Sequence, residues 1–307
     1  MYAEELLTKQ GETVLNISEL LLKMKSGEKL PNNSKLSKDY KVGAGTVQAA
    51  LKYLISVEAI DLISKGQQGT ILSYVNYEKL LQLCGNPIVR GVMPLPNSIQ
   101  FEGLATGLYK NFDKSATLLK MTYVRGGKKR LDLLLDGMAD FIICSRMTAE
   151  KAKEEHPEIC ILTSFGSKSY VSRCGILFKD PNSSGIKDGM RIGVDTDSYD
   201  HIALNEYISR NHDVVQIPIK YSDVATLFES SVMDATFWSL DNYKNASNGK
   251  IIEFTGDEDK IVSDTMEGVL ICLDDSDKKL LLNDILAVDK IRCIQDQVIA
   301  GKRIPSY

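Results

Sequence analysis

The stretch LPNNSKLSKDYKVGAGTVQAALKYLISVEAI, Leu30–Ile60, determines how the first part of this chain folds. Its apolar residues recur at three- and four-residue spacing, which predicts two short helices that each bury one face. A pair of glycines between them allows the sharp turn that would bring these faces together. The apolar residues are Leu36, Tyr40 and Val42 in the first helix and Val47, Ala50, Leu51 and Leu54 in the second.

The residues that follow predict a β-hairpin. Leu62–Ile63 and Ile71–Leu72 flank the polar tip Lys65–Gly69, whose glycines permit a tight turn. At the start of the second helix, Thr46 is expected to cap the first turn. Helix, turn, helix and hairpin in this order are typical of a winged helix-turn-helix domain, whose second helix enters the major groove of DNA. A helical pair and a hairpin without contact to nucleic acid would show the same periodicity, so that alternative stays open at this point.

The order of residues resembles the DNA-binding domain of the GntR family of bacterial regulators. That family carries a Leu-Pro-Ser start, a Val-Ser-Arg-x-Thr-Val turn and a Gly-x-Gly-Thr wing, to which Leu30–Asn32, Val42–Val47 and Gly66–Thr70 correspond in order and spacing. The match covers about residues 13–72. The segment GAGTVQAAL, Gly43–Leu51, together with the downstream domain, resembles the YhfZ family of regulators. The resemblance implies a transcriptional regulator that binds a double-stranded DNA operator.

The chain departs from the GntR pattern in its arginines. The family places arginines at the positions that Ser34, Ala44 and Gln48 occupy here, and this chain has no arginine before Arg90. From Leu21 to Gly85 the positive charge comes from nine lysines, against five acids. Lysine cannot form arginine's two-pronged contact with guanine, so we expect Thr46, Gln48 and the wing glutamines to contact bases, with adenine favoured by glutamine, and lysines to contact phosphates. The predicted DNA-binding residues are Ser34, Lys35, Gly43, Ala44, Gly45, Thr46, Gln48, Lys52, Lys65, Gln67, Gln68 and Gly69.

Composition and charge fit a DNA-binding protein of two domains. The 307 residues are 43% hydrophobic and 25% charged, which is ordinary for a soluble globular protein. The net charge is −4, but residues 1–85 carry +1 and residues 86–307 carry −5, so the acidity belongs to the second part. No apolar run approaches the ~18 residues of a membrane span, and the acidic start Met1–Glu5 lacks the features of a secretion signal. We therefore expect a cytoplasmic protein that does not contact a membrane.

Residues 1–84 are predicted to form the DNA-binding domain and residues 85–307 a second domain, with Gly85 and Pro87 at the boundary. From residue 88 on, strands and helices alternate in two βαβαβ runs, which is typical of an α/β fold with parallel sheets. The first run has strands at 88–93, 118–124 and 141–144 and helices at 99–111 and 128–136; the second has strands at 190–195, 214–217 and 235–238 and helices at 201–210 and 222–229. A strand at 269–273 and a closing helix at 277–297 are predicted to return to the first run.

The second domain resembles type 2 periplasmic-binding-protein folds, which LysR-type sensors also use. A pattern of helix, acidic residue and strand recurs in Leu134–Phe141 and Phe228–Ala235, although the second copy lacks the glycine of the first. The resemblance implies an effector-sensing α/β domain of two lobes. Lobe I would comprise about residues 86–168 and 267–307, and lobe II about residues 170–264.

The loops at the carboxyl ends of the strands predict a ligand cleft, because ligands of open α/β sheets bind there, near helix N-termini that favour anions. Arg146 follows a buried strand and is the expected clamp for a carboxylate or phosphate, while Tyr199 and Trp238 are expected to stack on an apolar or ring-shaped part. The alternatives are a surface ion pair for Arg146, a core position for Trp238 and a helix-capping role for Asp195 and Asp197. The predicted ligand-binding residues are Pro96, Asn97, Ser98, Ser145, Arg146, Asp195, Ser198, Tyr199, Trp238 and Ser239.

These patterns predict a homodimeric regulator without enzymatic activity, whose affinity for a near-palindromic operator changes when a small anionic metabolite binds. Six cysteines and three histidines show no zinc-ligand spacing, so neither a metal nor a cofactor is expected. A Gly-x-Ser-x-Gly elbow and a phosphate-binding Gly-x-x-x-x-Gly-Lys-Ser loop are also missing. Two alternatives stay open: an enzyme on a type 2 binding-protein fold, which would turn its ligand over, and a dimeric repressor that senses nothing, which no ligand would stabilise.

Overall fold

Helices α1 to α4 and a two-stranded sheet form the N-terminal part of the chain in the computed structural model, which describes residues 8–241, 249–254 and 259–307. The helices are α1 (Lys9–Leu22), α2 (Asn33–Asp39), α3 (Ala44–Ser56) and α4 (Tyr77–Leu83), and the strands are β1 (Ile60–Ser64) and β2 (Thr70–Val75). Strands β1 and β2 pair antiparallel as a hairpin. The predicted order of helix, turn, helix and wing is therefore confirmed.

The helices bury the apolar face that their spacing predicts. Val47, Ala50 and Leu54 of α3 are fully buried, and so is Leu36 of α2. Burial of one aliphatic side chain of this size contributes about 1.5–3 kcal/mol. The apolar faces, more than local helix propensity, therefore stabilise these two short helices against each other.

Two details of the predicted turn need correction. Helix α3 begins at Ala44, and its N-cap is Gly43, whose carbonyl oxygen accepts hydrogen bonds from the N–H groups of Thr46 and Val47 at 3.0 and 3.2 Å. Thr46 therefore lies within the first turn and does not cap it. Val42 lies in the connection to α3, because α2 already ends at Asp39.

The first compact unit of the fold contains more than these elements. It comprises the chain up to Val89 together with Lys114–Lys120 and Asp275–Leu286, which the predicted division assigns to the second domain. An ion pair of 3.0 Å joins Lys23 to Asp277, and Lys278 Nζ donates to the carbonyl oxygen of Ile88 at 2.6 Å. The backbone therefore passes between this unit and the second one at five places, after residues 89, 113, 120, 274 and 286.

The second compact unit comprises Arg90–Asp113, Met121–Asp274 and Ala287–Tyr307, so strands β3 and β4 begin in the first unit and end in this one. The strands are β3 (Ile88–Met93), β4 (Leu118–Tyr123), β5 (Phe141–Ser145), β6 (Ile159–Ser164), β7 (Cys174–Phe178), β8 (Arg191–Asp195), β9 (Val215–Ile219), β10 (Ala235–Ser239), β11 (Lys250–Glu253) and β12 (Gly268–Leu273). The helices are α5 (Ile99–Phe112), α6 (Gly127–Leu135), α7 (Arg146–Glu155), α8 (Tyr199–Ser209), α9 (Val224–Glu229), α10 (Lys260–Met266) and α12 (Val288–Ile299), and α11 (Lys279–Ile285) belongs to the first unit.

Two five-stranded sheets define the two lobes. The first sheet has the order β4-β3-β5-β12-β6, and the second has the order β11-β7-β10-β8-β9. Strands β3 and β5, β8 and β9, and β10 and β8 are parallel, as predicted. The sheets also contain antiparallel strands, which the alternation of strands and helices did not predict: β12 runs antiparallel to β5 and β6, and β7 runs antiparallel to β10 and β11.

The chain crosses between the lobes twice, once between β6 and β7 and once between α10 and β12, as the sequence predicts. The two crossing segments are hydrogen-bonded to each other, since the N–H groups of Tyr170 and Val171 donate to the carbonyl oxygen of Met266 at 3.0 and 3.3 Å. The two connections between the sheets therefore run side by side.

The predicted closing helix at 277–297 is two helices, α11 and α12. Leu286 and Ala287 separate them, with ψ angles of 102° and 84° that no helix adopts. Helix α12 packs along α5. The break has a structural reason, since the residues before it belong to the first compact unit and those after it to the second.

Candidate functional site

The N-terminal half of α3 presents an exposed polar face. Ala44, Gly45, Gln48 and Lys52 are exposed, whereas Thr46 is half-buried. A Cβ atom added at Gly45 would meet nothing within 4 Å, so this end of the helix is open to a large partner. Helices that enter the major groove of DNA expose their N-terminal residues in this way.

The tip of the hairpin is a single turn of 3-10 helix, Gly66–Gln68, between β1 and β2. Gly66 has φ 57° and Gly69 has φ 94° with ψ −161°, a combination that other residues almost never adopt. A Cβ atom at Gly69 would also lie 2.7 Å from Cε of Lys29. The wing therefore needs glycine at its C-terminal end, and it exposes Lys65, Gln67 and Gln68.

The lysines predicted to contact DNA keep their charge available. Lys35, Lys52 and Lys65 are exposed, and none of them forms an ion pair with a residue that the structure describes. Lys35 lies on the first turn of α2 beside Ser34, which is exposed as well. A lysine without an internal carboxylate partner can release counterions from a phosphate backbone.

The second unit contains a cavity of about 210 Å³ between its two lobes. Its lining is mostly apolar, with a small number of charged and polar groups that face one another, which is typical of a small-molecule site. Among the predicted ligand-binding residues, the structure brings Asn97, Asp195, Ser198 and Ser239 together around it. It places Pro96, Ser98, Ser145, Arg146, Tyr199 and Trp238 outside this lining.

Three of the predicted serines are helix N-caps. The side chains of Ser98, Ser145 and Ser198 accept hydrogen bonds from the N–H groups three residues on, at 3.3, 3.0 and 3.3 Å, at the starts of α5, α7 and α8. Their hydroxyl groups therefore fix helices that point at the cleft. Only Ser198 also lines the cavity.

The prediction that Arg146 clamps the ligand needs correction. Its Nε and Nη2 donate to the two carboxylate oxygens of Glu267 at 2.8 and 2.7 Å, and Nη1 lies 3.4 Å from Glu150. These contacts hold the guanidinium in a two-pronged ion pair away from the cavity lining. Arg146 therefore has the alternative role considered above, an ion pair within the protein.

Trp238 and Tyr199 support the cavity without lining it. The Trp238 ring stacks on Tyr221, with centroids 4.8 Å apart and planes at 24°, and it belongs to a core cluster with Leu177 and Met233. Tyr199 Oη donates a hydrogen bond to Glu155, and Lys128 lies over its ring at 5.1 Å. The aromatic residues that do line the cavity are Phe101, Tyr170, His201, Tyr221 and Phe237.

Two arginines of the cavity wall were missed by the sequence analysis. Arg130 is only 4% exposed; its Nη1 donates to the carbonyl oxygen of Val124 at 3.0 Å and its Nη2 to Tyr170 Oη at 2.9 Å. Arg125 donates through Nη2 to Asp195 at 2.9 Å and through Nη1 to Ser222 at 2.5 Å. The positive charge of the cavity thus comes from the loop after β4 and from α6.

A sequence signal for these arginines exists in the glycine pair between β4 and α6. Gly126 has φ 87°, and as the N-cap of the nine-residue helix α6 it provides no side-chain hydrogen bond. Both glycines line the cavity. A helix N-terminus without a side-chain cap favours anions through its free N–H groups and its dipole. The order strand, Gly-Gly, helix in the sequence could therefore have indicated an anion site here.

Asp200 and His201 are two further cavity residues that the sequence analysis missed. Asp200 Oδ1 accepts hydrogen bonds from Ser145 Oγ at 2.5 Å and Thr148 Oγ1 at 3.4 Å, and burial raises the pKa of this carboxyl to about 6. His201 is 5% exposed between the rings of Tyr221 and Phe237, and burial lowers its pKa to about 4. The imidazole is therefore neutral at pH 7.

The neutral His201 ring is a hydrogen-bond donor. Its Nδ1 accepts the backbone N–H of Asp195 at 3.5 Å, a long contact that nevertheless places the proton on Nε2. Nε2 is buried and has no hydrogen-bond partner among the residues that the structure describes. A buried donor without a partner costs about 1–3 kcal/mol, which a ligand acceptor would recover.

Ion pairs and hydrogen bonds cross the cleft around the cavity. Arg125 pairs with Asp195, and Lys129 pairs with Asp197, each at 2.9 Å. The N–H group of Lys128 donates to the carbonyl oxygen of Asp197 at 3.2 Å, and the Ser145–Asp200 hydrogen bond joins the lobes as well. The charged residues of the cleft thus hold the two lobes together over the cavity.

Within the described ranges, we find no group of three or more histidine, cysteine or acidic side chains able to hold a metal ion. None of the helices described is both long enough and apolar enough to cross a bilayer.

Comparisons with known proteins agree with this architecture. Residues 76–307 match the family described as YhfZ C-terminal domain, and residues 25–72 match a helix-turn-helix domain. The chain is 26% identical over 303 residues to YhfZ of Escherichia coli strain K12, covering 98% of each chain. It also resembles the crystal structure of YhfZ from Shigella flexneri, with a TM-score of 0.63 and 25% identity over 75% of this chain and 98% of that chain.

Similarity to more distant proteins shows the fold of the second unit. The periplasmic aliphatic sulphonate binding protein SsuA from Escherichia coli matches with a TM-score of 0.53 and 13% identity, over 70% of this chain and 71% of that chain. The periplasmic VFT2 domain of BvgS from Bordetella pertussis matches with a TM-score of 0.51 and 14% identity, over 72% of this chain and 96% of that chain. The two lobes therefore form a binding-protein-like fold, as the resemblance noted from the sequence implies.

Proposed function

The chain belongs to the YhfZ family, and on that premise we propose that it is a transcriptional regulator whose helix-turn-helix domain binds an operator and whose two-lobed domain binds a small organic anion. The observation that carries the proposal is the combination of an exposed α3 with a charged cavity in one chain. A regulator of this kind acts where the chromosome is, so a cytoplasmic location is part of the proposal.

Three features of the first unit support DNA binding. The N-terminal half of α3 is exposed, the wing carries a lysine and two glutamines at its tip, and the lysines of α2, α3 and the wing form no ion pair with a residue of the described ranges. Gln48 and Gln67 suit adenine, and Lys52 and Lys65 suit phosphates. We propose a GntR-type mode of binding in which specificity comes from glutamine and groove shape, because guanine-clamping arginines are absent from the sequence of this domain.

We further propose that two copies of the chain bind a near-palindromic operator. A single short recognition helix contacts few bases, and a two-fold dimer doubles the number of contacts. Because the positive charge of residues 1–85 is modest, contacts of one copy with DNA phosphates contribute little to affinity. Two linked copies bind considerably more tightly.

The cavity supports an anionic ligand. The N-terminus of α6, the guanidinium of Arg130 and the Nε2–H group of His201 are donors of the kind that bind a carboxylate, phosphate or sulfonate. Contacts across the cleft join both lobes to these donors. A ligand held by both lobes would shift the balance between open and closed forms, and with it the arrangement of the DNA-binding domains.

Selection from a pool of random DNA duplexes with the full-length protein tests the first half of the proposal. We expect enrichment of a two-fold symmetric sequence, which should then bind about a thousandfold more tightly than random DNA at physiological salt. The same protein and duplex, measured with and without candidate organic anions, test the second half. A pool without any enriched sequence would contradict the assignment as a sequence-specific regulator.

A further inference from the structure

Two charged side chains of the cavity, Arg130 and Asp200, form no direct ion pair with a described residue, although the positive charge of Arg130 acts on Asp200 through space. Arg130 is buried and donates only to a carbonyl oxygen and a phenol oxygen, and its Nε has no partner within the described chain. It forms no ion pair within 4.0 Å with any described residue. A buried guanidinium without a carboxylate loses much of its hydration without compensation, so a ligand anion would stabilise it.

Asp200 is a carboxylate that lacks a direct cationic partner, just as Arg130 lacks a direct anionic one. Its Oδ1 accepts hydrogen bonds from Ser145 and Thr148, whereas no described residue donates to Oδ2, and no described lysine, arginine or histidine lies within 4.0 Å. A carboxylate is an acceptor only. The group that would best stabilise it is therefore a donor with a positive charge, such as a protonated amine.

The other two charged groups of the cavity already satisfy each other. Asp195 accepts from Arg125 at 2.9 Å and from the N–H group of Tyr221 at 3.0 Å through Oδ2, and from the N–H group of Asp197 at 3.1 Å through Oδ1. Among the described residues of the lining, Arg125 and Asp195 form an ion pair, whereas Arg130 and Asp200 do not. A dianion would thus place negative charge beside Asp200, and a simple amine would leave Arg130 without a directly bonded anion.

Between these charges the lining is apolar. Pro94, Leu95, Phe101, Val171 and Phe237 contribute hydrocarbon surface to a cavity of about 210 Å³. A space of this kind accepts a short aliphatic chain or one ring.

Resting on the proposed function of this cleft as a ligand site, we propose that its ligand is a zwitterion with one anionic group, one protonated amine and a small apolar body. Arg130, with the N-terminus of α6, binds the anionic group. Asp200 binds the ammonium group, and the aromatic residues enclose the body. Because Ser145 and Thr148 of the first lobe hold Asp200 of the second, ammonium binding occurs where the lobes meet.

The test uses three matched series of probes with the full-length protein. The first series is the proteinogenic amino acids with uncharged side chains, the second is their deaminated carboxylic acids, and the third is their decarboxylated amines. Affinities are measured by isothermal titration calorimetry at pH 7.5, where Asp200 is ionised. We expect at least one amino acid to bind about tenfold to a hundredfold more tightly than both of its single-charge analogues, since the removal of one charged hydrogen bond weakens binding by that factor.

Variants test which side chain binds the anionic group of the ligand and which binds its ammonium group. Asp200→Asn should abolish the preference for the amino acid over its deaminated acid, and Arg130→Gln should abolish the preference over the amine. Arg146→Gln and Glu267→Gln, whose ion pair lies outside the cavity, are matched controls that should bind like the wild type. If Arg130→Gln does not fold by circular dichroism, Arg130→Lys, which keeps the charge but donates differently, should fold and bind more weakly.

The possible outcomes separate the two proposals. Carboxylic acids that bind as tightly as the amino acids, with loss in Arg130→Gln, would overturn the zwitterion and leave the anion-binding function standing. Amines that bind as well as amino acids would overturn the role of Arg130. If no member of the three series binds the wild-type protein, the zwitterion is overturned, whereas the anion-binding function is decided by the separate operator-binding measurement with candidate organic anions.

Discussion

The guanidinium of Arg146 and the carboxylate of Glu267, 121 positions apart in the sequence, meet through two parallel hydrogen bonds of 2.8 and 2.7 Å. This ion pair ties the start of α7 to the segment that leads into β12. The arginine lowers the pKa of Glu267 below its usual 4.5.

Removal of the Arg146–Glu267 ion pair is expected to lower the stability of the fold without weakening ligand binding. The side chains of Arg146 and Glu267 are 26% and 21% exposed, so Arg146→Gln should lower the free energy of unfolding by about 1–3 kcal/mol. Because the pKa of Glu267 is lowered in the folded state, this contribution is present above pH 4.5 and disappears as the pH falls below it. Urea denaturation of the single and double variants at pH 7 and pH 3.5 measures the coupling, and single-variant losses that simply add would disprove it.

The ion pairs across the cleft predict unequal effects on lobe closure. Asp195 is 8% exposed and accepts hydrogen bonds from Arg125 and from the N–H group of Tyr221, so Asp195→Asn removes the buried charge that holds the half-buried Arg125 and should loosen the lobes. Asp197, whose partner Lys129 is 61% exposed, contributes little, and Asp197→Asn is the matched control. Hydrogen exchange of residues 193–200 and 217–224 should speed up about tenfold or more in the first variant only. Equal exchange in both variants would show that Asp195 does not hold the cleft.

Asp200 and His201 predict opposite dependences of stability on pH. The folded state raises the pKa of Asp200 from 3.8 to about 6, so its contribution to stability falls as the pH rises through that interval. The folded state lowers the pKa of His201 from 6.5 to about 4, so its contribution falls as the pH decreases through nearly the same interval. In the wild-type protein the two effects largely cancel between pH 4 and pH 6.

Single variants should unmask each effect. Asp200→Asn should lose up to about 3 kcal/mol of stability between pH 7 and pH 4, because His201 is then the only one of these two groups that titrates. His201→Gln should gain stability over the same change, because only Asp200 then titrates. Urea denaturation followed by the fluorescence of Trp238, the single tryptophan, reports this unit directly. Slopes against pH that match the wild type in both variants would contradict the assignment.

The exposed face of α3 and the wing predict two kinds of loss in DNA binding. Gln48→Ala should weaken binding to the selected operator by about 1–3 kcal/mol and leave random DNA unaffected, because it removes a base contact. Lys65→Ala should weaken binding to both and reduce the dependence on salt by about one counterion. Gln82→Ala on α4 and Lys153→Ala on α7, both exposed, are matched controls. Fluorescence anisotropy across a salt series measures these effects, and equal losses for Gln48→Ala on both DNAs would rule out base recognition.

Much of the fold could be predicted because the signals are local. The spacing of Val47, Ala50 and Leu54 indicates the buried face of α3, and the alternation after residue 88 gives most strands to within a residue or two. The antiparallel direction of β12 could not be predicted, since strand direction depends on how the chain returns from the other lobe. The break between α11 and α12 lacks a glycine or proline, so the helical pattern continues through Leu286 without a signal.

The candidate site was harder to predict, because contacts between residues far apart in the sequence determine which side chains line the cavity. Arg146 lies at the expected end of a strand, but Glu267, which occupies its guanidinium, is far away in the sequence. Arg130 lies on the buried face of α6 together with Leu131 and Leu134, although an arginine in a helix is ordinarily expected on the solvated face. The residues that line the cavity can therefore be identified only from the three-dimensional arrangement of the two lobes.

The five backbone passages between the compact units have an evolutionary consequence. A helix-turn-helix domain on a single linker can be exchanged between proteins by one recombination event. In this chain, a cut at residue 84 would separate the DNA-binding domain from Lys114–Lys120 and Asp275–Leu286, which complete its fold. We therefore expect the two halves of such regulators to be inherited together, and new ligand specificities to arise by substitutions around the cleft instead of by exchange of whole sensor domains.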